Sequence, residues 1–427
     1  MTDQIKDKDT QSPIIDASTG GPLSKSRRKF LAHSGMYTAG LVGSALLGAC
    51  SDDNNVALAQ QDNGGANGDT VDFSGAPSDA AVLQFALNLE YLEAEYYLGA
   101  VTGMGLQQDD TSGMSGGMSA GTVTFPQTGG VDFSTDDSLI RRYAAEIASD
   151  ELDHVQFLRA GLESAGGLIA RPSINLESSF DFAATAALRG ANVIGPQATA
   201  EFNPYASPLS FLIGAFIFED VGVSAYKGGA QFLRNRDFLT AAAGILSVEG
   251  YHAGLIRTIL TARADDGEMV TFTTSEGQRT VPLGAVINAI SDARDSLDGD
   301  TDLDQGIVGT GNNSVSIYGT SYDSTNIVPA DDRGITYSRT PGQIHNIVYL
   351  TPNAVSPMMN NVPATSFFPE GTNIAANEAL EASANNAPND NGGNASDEGS
   401  GEAGSGDAGS GSDAGTGSDG GTTNSAS

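Results

Sequence analysis

The chain has 427 residues, with 20 lysines and arginines against 53 aspartates and glutamates, for a formal charge of -33. Such a balance excludes nucleic-acid binding, because contact with phosphates needs clustered basic side chains. The single cysteine, Cys50, excludes a disulfide within the chain.

In chain order, the first feature is an export signal. Ser26-Arg27-Arg28-Lys29-Phe30-Leu31 is a twin-arginine signature, followed by the apolar stretch 36–48. That stretch is shorter than the about 20 residues a spanning helix needs. It ends in Leu47-Gly48-Ala49-Cys50, which resembles a lipobox. Residues 1–49 therefore read as a signal peptide, and Cys50 as the lipidated first residue of an envelope-anchored, periplasmic protein. Cleavage after Ala57-Leu58-Ala59 would instead release a soluble protein, but that site lies well beyond the apolar stretch. The twin-arginine route carries proteins already folded, so a metal could be chosen in the cytoplasm. Residues 50–75, rich in Asn, Asp and Gly, read as a flexible tether.

Four long helices follow. The first, 78–100, starts behind Pro77-Ser78-Asp79 and repeats Val82, Phe85, Leu89, Leu92 and Tyr96 at helical spacing. Glu90, Glu93 and Tyr97 share another stripe, which leaves Glu90 and Glu93 as alternative metal ligands, whereas Glu95 reads as part of a solvated face. A Gly- and Met-rich loop, 103–134, contains Met104, Met114 and Met118, which read as loop composition with no metal role. The second helix, 135–165, carries Asp150-Glu151-Leu152-Asp153-His154. A long crossover with a short helical piece at 182–190 leads to the third helix, 208–233, the most apolar in the chain. Its Glu219 reads as a ligand, since a carboxylate there is costly to bury without a cation. The fourth helix, 237–264, repeats the step of the second as Glu249-Gly250-Tyr251-His252.

Residues three apart on a helix share a face, so the Glu and His of each step can reach one metal ion. One such step is weak evidence, but two on different helices, with one further Glu from each of two more, describe a two-metal carboxylate site inside a four-helix bundle. Asp150 reads either as a carboxylate that orients a histidine ring from the opposite helix or as a surface acid.

The run Leu89-Glu90-Tyr91-Leu92-Glu93-Ala94-Glu95-Tyr96-Tyr97, the two Glu-x-x-His steps, Phe218-Glu219-Asp220 and a late Arg339-Thr340-Pro341-Gly342-Gln343 resemble the ferritin-like superfamily, and within it the desiccation-related proteins. The resemblance implies an all-α fold, a ferritin-like four-helix bundle over 76–265. It implies Glu90, Glu151, His154, Glu219, Glu249 and His252 as ligands of two iron or manganese ions, with iron favoured. Glu151 and Glu249 are expected to bridge, and Tyr97, Glu93 and Asp150 to support. One departure is Val248, where relatives of the bacterioferritin type place an acid, so His154 is expected to have weaker support than His252.

Residues 266–368 form a mixed C-terminal extension, with a hairpin at 269–281 and a helix at 283–297, expected to pack on the bundle. His345 within it reads as structural. From 369 to 427 the composition is Gly, Ser, Asn and Asp with almost no large apolar residue, a disordered acidic tail. The expected function is oxygen or peroxide chemistry at the dinuclear centre, with homo-oligomerisation open. The alternatives are metal sequestration and a non-catalytic desiccation or stress role. The tether and tail argue against a 24-subunit storage shell.

Overall fold

The computed structural model describes residues 78–114, 119–126, 130–135, 138–299, 301–307, 314–352 and 362–373. The twin-arginine motif, Cys50, the tether, Met118 and the tail beyond 373 lie outside the described residues. Helix α1 (Asp79–Thr102) is capped by Ser78, whose hydroxyl accepts from Ala81 N, and ends at Gly103, whose φ of 74° suits the residue that closes a helix. Helix α2 (Ser138–Ser164) starts three residues later than expected, because Phe133–Thr135 form a 3-10 turn ahead of it. Helix α3 (Ser178–Gly190) lies in the crossover and starts earlier than the predicted 182. Helix α4 (Pro208–Ala230) has Ser207 as N-cap and proline in its first turn, and α5 (Arg236–Asp265) is capped by Asn235.

α1 packs along α2 and α4 along α5. The two pairs differ in character. On α5 a stripe from Ala242 and Ile245 through Glu249 and His252 to Ile256, Arg257 and Leu260 is buried, and the opposite face is exposed. On α1 and α4 nearly the whole circumference is buried. By length and apolarity α4 could cross a membrane, but here it is a core helix.

The second faces of α1 and α4 are covered by the crossover and the extension. In the loop after α1, β1 (Val123–Thr124) pairs in parallel with β2 (Ile174–Asn175) of the crossover. Further along, β3 (Ala200–Glu201) adds to the hairpin β4 (Met269–Thr274) and β5 (Gly277–Pro282), where Val270, Phe272 and Thr274 point inward in strict alternation. Helix α6 (Leu283–Asp298) packs on α3, and α7 (Pro341–Val348), which has a Thr340/Gln343 capping box, packs on α6 and α4. Through α6 and α7 the residues after α5 touch α3, α4 and α5. A separate hairpin, β6 (Ser314–Ile317) and β7 (Thr320–Asp323), is exposed on both strands.

Two expectations need correction. Residues assigned to the tail are in part ordered: Glu370 accepts from Ser173 Oγ at 2.6 Å, and Asn373 exchanges hydrogen bonds with Asn88, its backbone N–H donating to Oδ1 at 2.9 Å. Polar composition concealed this, because the segment is held by hydrogen bonds to the bundle more than by apolar burial. Glu95 is fully buried, not solvated. Its carboxylate accepts from the Arg171 guanidinium and, at 3.1 Å, from Leu106 N, which ties the crossover and the loop after α1 to that helix.

Candidate metal centre

Glu90 of α1, Glu151 and His154 of α2, Glu219 of α4, and Glu249 and His252 of α5 converge between the helices, none more than 8% exposed. His154 Nδ1 lies 3.1 Å from Glu90 Oε2, 3.4 Å from Glu151 Oε2 and 3.6 Å from Glu249 Oε1. His252 Nδ1 lies 3.0 Å from Glu151 Oε1 and 3.6 Å from Glu219 Oε2. The two imidazole rings are 6.5 Å apart, centre to centre. Two sets of donors result, Glu90, Glu151, His154 and Glu249 in one and Glu151, Glu219 and His252 in the other, each with its donor atoms within 4.8 Å of one another. Glu151 belongs to both and has bridging geometry. Glu249, expected to bridge as well, groups with the Glu90 and His154 set.

These residues fit a pair of cations. Both carboxylate oxygens of Glu151 and of Glu249, Glu219 Oε2 and His252 Nδ1 are buried without a hydrogen-bond partner. They are six of the thirteen such side-chain atoms among the described residues. A buried charged oxygen left unpaired costs free energy that metal coordination removes. The remaining oxygens of the two outer glutamates are satisfied by tyrosines: Tyr97 donates to Glu219 Oε1 and Tyr226 to Glu90 Oε1. Each outer glutamate is thereby left with one oxygen facing the centre. Tyr226 was not recognised in the sequence, although it lies seven residues after Glu219 on α4 and so shares its face.

The electrostatics without an ion show how strongly the donors interact. Burial pushes Glu90 up to about 7 and Glu219 up to about 8, more than the histidines beside them lower these values. Burial and the neighbouring carboxylates raise Glu249 well above the usual range. Glu151 is also buried, yet the two imidazoles close beside it together hold it below the usual range. Burial opposes charge on the imidazoles too, but Glu90 and Glu151 push His154 up to about 11, and Glu219, Asp150 and Glu151 push His252 up to about 10. The metal-free pocket is therefore held together by protons that cations would displace.

Around this set, Asp150 Oδ2 stands 3.4 Å from His252 Nε2, in position to orient that ring, whereas Val248 offers His154 no equivalent carboxylate. Glu93 is buried beside the centre but belongs to neither donor set, and burial with three neighbouring glutamates raises it well above the carboxylate range. Gly222 keeps the space between it and Glu249 open, since a Cβ there would lie 2.5 Å from Glu249 Oε2 and 3.2 Å from Glu93 Oε1. His345 sits apart in the core, stacked on Tyr349 and edge-on to Phe85. Met104 and Met114 are exposed.

The family model of the ferritin-like domain matches residues 78–262, which span α1 to most of α5. The ferritin-like catalase Nec2 of Nesocodon mauritianus is 29% identical over 350 residues, covering 81% of this chain and 96% of that protein. The desiccation-related protein PCC13-62 of Craterostigma plantagineum is 26% identical over 268 residues, 62% of this chain and 75% of that protein. With its bundle, its buried glutamate and histidine sets and these likenesses, residues 78–262 form a ferritin-like domain, in a chain that is similar to a ferritin-like catalase and a desiccation-related protein.

Proposed function

We propose that the protein binds two iron or manganese ions and uses them to decompose hydrogen peroxide, two molecules giving one dioxygen and two waters. The observation that carries this reading is the convergence of six unpartnered buried donor atoms on one point of the bundle. Glu90, His154 and Glu249 would hold one ion, Glu219 and His252 the other, and Glu151 both. Four carboxylates match the charge of two divalent ions, and the mixed carboxylate and imidazole donors suit iron and manganese alike, with iron favoured by the histidines. A redox-active pair of this kind supplies two-electron chemistry on peroxide. The chain's own part is to fix the donors, to orient His252 through Asp150, and to keep bulk water from a pocket whose ligands are almost wholly buried. Likeness to a protein named a ferritin-like catalase favours peroxide over dioxygen as the oxidant.

Metal analysis with an oxygen electrode tests the reading. Wild type should hold two ions per chain and evolve oxygen from peroxide, and Glu151→Ala or Glu249→Ala should lose metal and turnover together. Bound metal without turnover would favour sequestration, and a folded chain that takes up no metal would leave the stress-protein role. We further propose that the protein is exported and anchored at the cell envelope through Cys50, on the strength of the twin-arginine and lipobox motifs. Cys50→Ala should release it from membranes.

A further inference from the structure

Each half of the centre carries the same brace. In one half Tyr91, the residue after Glu90, receives a hydrogen bond from Arg159, which lies on α2 five residues beyond His154. In the other half Asp220, the residue after Glu219, receives one from Arg257 at 2.7 Å, and Arg257 lies on α5 five residues beyond His252. Neighbouring residues on a helix diverge by about 100°. Tyr91 and Asp220 therefore face away from the ions while sharing backbone with a ligand on α1 and α4, and each arginine fixes the partner helix at a set distance from its own histidine. All four side chains are buried.

The two braces are not equivalent. Tyr91 is an uncharged acceptor, and among the described residues its arginine is secured further by Asp109 O at 3.1 Å. Asp220 is charged and belongs to a ladder built from the extension. Arg294 of α6 donates to Asp220 at 3.0 Å and to Asp304 at 2.6 Å, and its other nitrogen donates to the α4 carbonyls of Phe216 at 2.6 Å and Ile217 at 3.2 Å. Arg257 also donates to Asn326 O, Gln305 O and Gly306 O. Buried ion pairs contribute little net stability compared with apolar packing, so a ladder of them is better explained by the geometry it fixes. It grips α4 at Asp220, beside Glu219, and α5 at Arg257, five residues beyond His252.

We infer that Tyr91 with Arg159, and Asp220 with Arg257 and Arg294, are positioning residues that each set the affinity of one ion. The extension, which lies outside the ferritin-like domain, thereby controls the Glu219 and His252 position alone. This inference rests on the two-ion reading above.

Manganese titration of the full-length protein, with anomalous scattering from manganese-soaked crystals to identify the site affected, provides the test. Tyr91→Phe should weaken the ion at Glu90 and His154 and leave the other unchanged. Asp220→Asn should do the reverse, each by about ten- to a hundred-fold, the usual cost of losing a residue that orients ligands. If Asp220→Asn does not fold, Arg294→Lys decides, because it keeps the positive charge but loses the planar fork onto Phe216 O and Ile217 O. Equal weakening of both ions, or no change at either in folded variants, overturns the inference while the two-ion reading stands. Wild type without metal overturns both.

Discussion

The metal-free protein should lose stability as pH rises from about 4.5 to 8, and Glu90 provides the measure. Its carboxyl lies near 4.5 when unfolded and at about 7 when folded, because burial disfavours its charge. Between these values the native state holds a proton that the unfolded chain has released, so stability falls as pH rises. The contribution is fully present below about 4.5 and is lost through about 7. The gap of about 2.5 pH units, at about 1.36 kcal/mol each, amounts to about 3 kcal/mol. For a fold of this size that is a drop of about 6 °C in Tm. Glu219, pushed up to about 8, adds to the fall in the same direction. The assay is differential scanning calorimetry of chelator-treated protein from pH 4.5 to 8, with Glu90→Gln as the control for repulsion across so acidic a chain. Glu90→Gln should show a shallower slope than wild type, and manganese should flatten the wild-type slope because cations replace the protons. A metal-free Tm that is level or rising over this range, or slopes identical in wild type and Glu90→Gln, would refute the reasoning.

Other perturbations act on named contacts. Arg171→Ala leaves Glu95 buried and unpaired and should cost about 3–5 kcal/mol in urea unfolding, with protease sensitivity appearing first around Leu106. Gly228→Ala places a Cβ 2.0 Å from the backbone oxygen of Arg339, which no side-chain rotation relieves, and should destabilise by roughly 1–3 kcal/mol. Gly222→Ala drives a methyl against Glu249 Oε2, so metal uptake should fall while far-UV circular dichroism stays unchanged.

The sequence by itself determined what depends on neighbours three or four residues away. The four long helices and the Glu151/His154 and Glu249/His252 pairs follow from helical periodicity, the start of the first helix from the Pro77-Ser78-Asp79 signal, and the need to neutralise Glu219 from the apolar helix around it. The hairpin expected at 269–281, found at 269–282, was legible for the same reason, as strands alternate inward and outward residues. The tertiary structure alone decided what lies opposite each side chain. Glu95 looked solvated because its partner Arg171 is 76 residues away. Asp220 gains its partner Arg294 only because α6 brings it there from 74 residues on. Glu370 and Asn373 looked like tail until the bundle bonded them. Whether a charge is solvated or buried depends on which distant segment covers it, and chain-local patterns carry no record of that choice.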